Sequence, residues 1–302
     1  MDDTRAGGGD AGFDLKPWLA FATASSIWGS TFLVISIGND ALAPVWAATL
    51  RLVLAALLLA GLTWARGGAL PRGAALRAAL GYGVCVFGIN FSLLYWGEKV
   101  VPSGLSAVLY ATMPLSSALL ARALGMERLT LAKLAGAAVA MAGVAVLFSS
   151  TLRGEVGVAG LLAIFVAATV ASLGNVLLKR GPRQDPVAAN AVGSAIGALL
   201  AGAVSLALGE PHLLPTTAAA LLPLLYLTVA GSMGAFVIMS WLVHHWPITR
   251  ASYVSVLVPV LALILGHLVR RERLTLVNLA GVLLVMFGLL VGMRPAAASP
   301  PR

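Results

Sequence analysis

Charge is what this 302-residue chain has least of: twenty Lys and Arg and eleven Asp and Glu, 10% of its residues, against 60% apolar ones. A soluble domain carries about 25% charged residues, so this chain has too few to coat a water-facing globule. A single cysteine, Cys85, excludes an intramolecular disulfide and a thiolate metal cluster, and it reads as a small apolar residue within a helix. Acids are missing from the middle of the apolar runs, where only Glu98, at the edge of one run, comes close. The motifs His-Glu-x-x-His and Gly-x-Ser-x-Gly and paired carboxylates within those runs are also missing, which argues against a membrane-embedded enzyme. No cofactor-binding motif occurs. The connections are too short for the soluble or docking segments of a scaffold. The adjacent pair His244 and His245 lacks a neighbouring Cys, Asp or Glu and projects about 100° apart on a helix, so no metal site is expected.

What fills the chain instead is apolar sequence in long runs. Ten can be marked, at 18–38, 44–64, 76–96, 102–124, 129–149, 156–178, 186–208, 218–241, 248–269 and 274–293, each bounded by charge, Pro or Gly. A helix of roughly 20 apolar residues crosses about 30 Å of hydrocarbon, so the expected solvent is a lipid bilayer. The net charge of +9 does not point to nucleic acid, because its placement follows membrane sidedness. With the N-terminus inside, fourteen Lys and Arg fall in cytoplasmic segments, five fall outside, and Arg51 lies within a run. Both termini are therefore expected in the cytoplasm and the chain in the cytoplasmic (inner) membrane. The acidic, Gly-rich first seventeen residues do not read as a cleaved signal, so the first run is expected to be an uncleaved anchor. Trp46, Trp64, Trp96, Trp241 and Trp246 lie near run ends and are expected at the membrane interfaces.

The pentapeptide ERLTL at 127–131 recurs at 272–276, 145 residues later. The same offset pairs Pro114 with Pro259, Gly136 with Gly281, Gly143 with Gly288, Phe91 with Phe236, Trp96 with Trp241, Pro102 with Pro247 and Asp40 with Asp185. One offset held over most of the chain marks a duplicated unit. Each copy holds five runs, an odd number, so the second must start from the opposite side of the membrane. The expected fold is an all-α integral membrane protein of ten transmembrane helices as two inverted five-helix repeats. The repeats are expected at 18–149 and 156–293, with a polar linker at 150–155 and tails at 1–17 and 294–302. Inverted repeats supply two conformations of similar energy, which a carrier needs and an enzyme does not. Both copies of ERLTL are expected to cap or start the fifth and tenth spans.

Three stretches carry a family resemblance: IWGSTFLVI at 27–35, NFSLLYWGEKVVPSGLSAVLYATMPL at 90–115, and the two ERLT connections followed by Leu-Ala-Gly. Together they resemble the drug/metabolite transporter superfamily, EamA type, over 18–293. The resemblance implies ten helices in two repeats and passage of small metabolites such as amino acids, nucleosides or drugs, often outward. It implies no cofactor, a small-molecule substrate and a lipid bilayer as the partners, and leaves monomer or homodimer open.

Candidate working residues are polar or strained positions inside apolar runs. Arg51 costs a few kcal/mol near the bilayer centre unless paired or wetted, so it is either an anion or carboxylate site facing the cavity or a side chain that snorkels outward or bonds carbonyls of a neighbouring helix. Glu98 is either a proton-coupling carboxylate or the partner of Lys99 in an ion pair. Trp28, Tyr82, Asn90, Tyr110, Asn175 and Tyr253 are candidates for a substrate cavity. Pro114 and Pro259 are expected near the middle of spans four and nine, where they free the carbonyls of Tyr110 and Ser255 and act in gating. Pro102 and Pro247 are expected merely to start those helices. The paired glycines Gly136, Gly143, Gly281 and Gly288 are expected to let spans five and ten pack closely, within the chain or in a dimer.

Overall fold

The computed structural model describes residues 14–101, 103–127, 130–148, 158–270 and 276–292, and their regular structure is entirely helical. Pro102, Arg128, Leu129, residues 271–275, the linker at 150–155 and the two chain ends lie outside the described residues. The helices are α1 (Leu15–Asn39), α2 (Pro44–Ala65), α3 (Gly73–Tyr82), α4 (Asn90–Gly97), α5 (Ser103–Tyr110), α6 (Met113–Ala123), α7 (Leu131–Phe148), α8 (Val158–Arg180), α9 (Pro186–Ala207), α10 (Ala218–Tyr226), α11 (Phe236–His245), α12 (Ile248–Ser252), α13 (Val254–Arg270) and α14 (Leu276–Gly292). Two widened π-helical stretches, Gly83–Ile89 and Leu227–Ala235, join α3 to α4 and α10 to α11 into continuous rods. They occupy matching places in the two halves.

Six helices are long and apolar enough to cross a membrane: Leu15–Asn39, Pro44–Ala65, Gly73–Gly97, Val158–Arg180, Pro186–Ala207 and Ala218–His245. The remaining apolar runs form shorter helices. Large apolar side chains such as Leu57, Leu199, Leu222 and Leu283 stand exposed on the outside. An apolar exterior of this extent suits lipid and would be an aggregation hazard in water.

Local chemistry sets the helix ends. Asp185 accepts from the N–H groups of Val187 (2.7 Å) and Ala188 (3.0 Å) and so caps α9, with Pro186 at its first turn. Thr130 accepts from the Lys133 N–H at 3.2 Å and starts α7. After α6 and after α9 the chain turns on glycines in the left-handed region, Gly125 (φ 70°) and Gly209 (φ 64°). These turns aim the acids that follow, Glu127 and Glu210, at other helices.

Glu127 is not a cap of the fifth span. Its carboxylate receives the N–H of Ile248 and the hydroxyl of Thr249 at 2.8 Å, which caps α12 in the second half of the chain. Lys133 (2.7 Å) and Lys179 (4.0 Å) flank it. Lys179 also donates to the Trp246 carbonyl at 2.6 Å. Burial works against ionisation of Glu127, but the hydrogen bonds and charges of Lys133, Thr249 and Lys179 outweigh it and hold its carboxyl below the ordinary value. Glu210 does a similar task for α2, accepting from the N–H groups of Val45 (3.1 Å) and Trp46 (2.8 Å).

Helix pairing follows the duplication. α2 lies along α9 and α7 along α14, while α1 meets α13 much as α8 meets α5 and α6. The α7–α14 contact is backbone to backbone: a Cβ on Gly136 would stand 2.4 Å from the Gly292 nitrogen, and one on Gly288 2.5 Å from that of Ala140. These glycines are thus consumed within one chain.

Two expectations need correction. Span four is not one helix kinked at Pro114: α5 ends at Tyr110, the chain turns at Ala111 and Thr112, and Pro114 sits in the first turn of α6. A proline is at ease there because its missing N–H has no partner to lose. Pro259 does lie inside α13, whereas the break in its span falls earlier, at Tyr253. The two prolines therefore do different local work. Trp246 is not an interfacial residue either. It is buried between Trp18 (ring centroids 5.0 Å apart), Phe21 (5.8 Å) and the Arg250 guanidinium (4.2 Å), because the helix ends at His245 and the chain turns inward. Trp64, by contrast, is 84% exposed.

Candidate functional site

Where the halves meet lies a cavity of ≈ 60 Å³. Its walls come from α1 (Trp28, Thr31, Phe32), α2 (Arg51), α4 (Asn90, Phe91), α5 (Tyr110), α8 (Asn175), α11 (Phe236) and α13 (Ser255). In this conformation it has room for a few water molecules only, so anything larger requires its walls to separate. The aromatic wall is tightly set, with Trp28 edge-on to Phe236 at 5.0 Å and Phe32 edge-on to Tyr110 at 5.2 Å.

Arg51 is the one charged group in this lining. It is 2% exposed. Its Nε donates to Ser232 Oγ at 2.8 Å and its Nη1 to the Tyr95 hydroxyl at 3.0 Å, while the guanidinium lies 4.6 Å from the centre of the Phe91 ring. Ser232 belongs to the widened stretch Leu227–Ala235, and its neighbour Gly231 leaves the space the guanidinium fills: a Cβ there would stand 2.6 Å from Nη2. The side chain therefore does not snorkel to an interface; it is held inside.

Asn90 and Tyr110 form a second polar point. Asn90 donates to the Val86 carbonyl at 2.8 Å, the acceptor four residues back, and accepts from the Tyr110 hydroxyl. Asn175, on α8, is 4% exposed, and its side chain makes no hydrogen bond among the described residues. Ser255, whose carbonyl faces Pro259 one turn on, also reaches the wall.

Trp28, Arg51, Asn90, Tyr110 and Asn175 are thus brought together. Tyr82 stands apart: its hydroxyl donates to Asn190 Oδ1 at 3.2 Å and accepts from Ser240 at 3.4 Å, while Asn190 donates to Ser240 at 2.7 Å. That buried triad ties α3 to α9 and α11. Tyr253 is also fully buried away from the lining, against α14, where a Cβ on Gly292 would overlap its hydroxyl. Neither Pro114 nor Pro259 touches the cavity.

Glu98 follows the end of α4, in the connection to α5. It is 7% exposed, and no ion pair with Lys99 forms; Lys99 faces out. Burial pushes its carboxyl well above the ordinary carboxylate value, against a smaller pull from the Ser106 hydroxyl, and its charge also acts on Tyr95 and Tyr110. Sequence reasoning missed Tyr95, Ser232 and Gly231. A Gly-Ser pair inside an apolar run was the available signal for the last two.

The chain matches the EamA-like transporter family twice, over residues 15–149 and 158–293. It is 29% identical over 276 residues to a probable amino-acid metabolite efflux pump of Salmonella typhimurium, covering 88% of this chain and 90% of that one. Over 120 residues, 40% of each chain, it is 36% identical to a probable terminal-alkyne amino-acid exporter of Streptantibioticus cattleyicolor. A solved crystal structure at 22% identity has the same fold, with a TM-score of 0.75 over 92% of this chain and 97% of the other. The two family matches and the transporter relatives mark the chain as a multi-pass membrane transporter rather than an enzyme. The chain belongs to the EamA-like transporter family.

Proposed function

We propose that this protein exports small organic metabolites, amino acids foremost, across the cytoplasmic membrane by alternating access. In this reading ten transmembrane helices form two inverted five-helix repeats, 18–149 and 156–293, joined by the linker at 150–155, with both termini cytoplasmic. The observation that carries the reading is the cavity between the halves: it is walled by helices of both and, at ≈ 60 Å³, is too small for a metabolite in this conformation. Exchange of conformations between the halves would open it to one side and then the other. Export of amino-acid-like solutes is supported by the similarity to a probable amino-acid metabolite efflux pump and a probable terminal-alkyne amino-acid exporter.

Trp28, Arg51, Asn90, Tyr110 and Asn175 are assigned to substrate, and Tyr82 and Tyr253 to the scaffold. Glu127, with Lys133, Lys179, Thr249 and Trp246, is assigned to a closure of the cytoplasmic end. Gating rests on the breaks at 111–112 and 253 rather than on the prolines as a symmetric pair. Glu98 is assigned to proton coupling, because a buried carboxyl in the connection between α4 and α5 can change protonation when the site opens.

The test is protein-dependent efflux of labelled leucine and a broader metabolite panel from reconstituted liposomes, with and without a pH gradient. Transport of panel members is expected, and its absence throughout would overturn the reading. Glu98→Gln is expected to remove the dependence on the gradient; an unchanged dependence would remove Glu98 from coupling and leave transport standing.

A further inference from the structure

Arg51 is a cation without an anion. Among the described residues no Asp or Glu pairs with it, and the cavity lining holds no carboxylate. Two of its five N–H donors are used, by Ser232 and Tyr95, and three have no partner among the described residues. Glu98 acts on the same Tyr95 but makes no ion pair with the guanidinium. A buried guanidinium with half its donors idle is costly unless something negative joins it. The rest of the wall is apolar or aromatic, apart from amides and hydroxyls, and one of those amides, Asn175, is likewise uncommitted.

We infer that Arg51 binds the carboxylate of the transported molecule, so that this protein carries small monoanionic or zwitterionic carboxylates with an apolar body and rejects cations. The inference rests on the cavity being the substrate site and adds the charge class that site accepts. The geometry favours a carboxylate over a phosphate. A planar fork matches two carboxylate oxygens, and one fixed positive charge neutralises one negative charge, whereas a phosphate dianion would be left half-compensated in an apolar wall. Phe91 beneath the guanidinium and Gly231 beside it fix the plane of the fork. Asn175 then has the substrate's remaining polar group to bond.

The experiment is protein-dependent efflux from liposomes loaded together with leucine, N-acetylleucine, leucinamide and tetrapropylammonium, corrected for protein-free vesicles. The two carboxylates are expected to leave about tenfold or more faster than the amide and the cation. In Arg51→Gln that preference should vanish, and in Arg51→Lys, which keeps the charge but not the fork, it should survive at a lower rate. The lysine variant and the wild-type ratios stand even where the glutamine variant does not fold. Efflux of leucinamide or tetrapropylammonium as fast as leucine would overturn the inference while leaving transport intact, and so would an unchanged preference in a folded Arg51→Gln protein. Efflux of none of the four would overturn the transport reading and the inference with it.

Discussion

Two charges in this molecule, the half-buried Glu127 and the buried Arg51, have opposite fates. Glu127 has every partner a carboxylate can use: two lysines, a hydroxyl and the open N-terminus of α12. Arg51, more deeply buried, has two neutral hydroxyl partners and a phenyl ring, and beside it a cavity whose lining holds no other charge. Physical chemistry explains both. A charge met on all sides by fixed partners holds elements together and is not available for anything else. A charge left short of partners raises the free energy of the empty site, and that energy is recovered when a ligand of the opposite sign arrives. The difference teaches where to look for work in a membrane interior: at the unmet charge rather than at the conspicuous, repeated motif.

Exchanging the two defects should separate them most sharply. Arg51→Gln is expected to lower carboxylate efflux by about a hundredfold, the loss of roughly 2–3 kcal/mol of charge-assisted binding, with little loss of thermal stability in detergent. Glu127→Gln should show the reverse: stability lower by about 1–3 kcal/mol in melting experiments, because Lys133 and Lys179 lose their counter-charge, with substrate selectivity unchanged. If both variants lose selectivity, or both lose only stability, the contrast between the two sites is wrong.

A smaller effect tests whether the fork's placement matters apart from its charge. Gly231→Ala keeps Arg51 but inserts a methyl 2.6 Å from its Nη2, so the guanidinium must move. Apparent affinity for carboxylates should fall about tenfold, without the full loss seen in Arg51→Gln. An affinity equal to wild type would show that the fork is not held in one plane.

The smallest expected effect is in pH. The carboxyl of Glu127 is held below its ordinary value of 4.5 in the folded protein. Its contribution to stability is therefore complete above that ordinary value and is lost as pH falls through the lower, folded one. The melting-temperature gap between wild type and Glu127→Gln should be constant near neutrality and shrink as pH drops below about 4.5. A gap that persists in acid would assign the effect to shape rather than charge.

Much of the fold was legible before any coordinates. Long apolar runs become long apolar helices because burying unpaired backbone in lipid leaves helix formation as the available solution. Arg51, Asn90, Tyr110 and Asn175 were conspicuous because polar side chains are rare in such runs, and Trp28 because an indole sits far from a run's ends. Their common cavity was not legible, since it depends on which helix faces come together. The same limit explains the misreadings. Pro114 is equally acceptable to a kink and to a fresh helix start, and only the turn at Ala111 and Thr112 decides. Trp246 lies near a run end in sequence, but the chain folds it under Trp18. Glu127 looked like a local cap because its partners Ile248 and Thr249 are 121 and 122 residues away. Tyr82 is as polar as Tyr110 and differs only in finding Asn190 and Ser240.

What the sequence determined by itself is the solvent, the duplication and the scarcity of charge, because composition and periodicity are properties of the chain alone. Which rare charge is satisfied and which is left waiting was decided by tertiary structure. Electrostatic compensation is a matter of a few ångströms between residues that sequence separates by scores of positions.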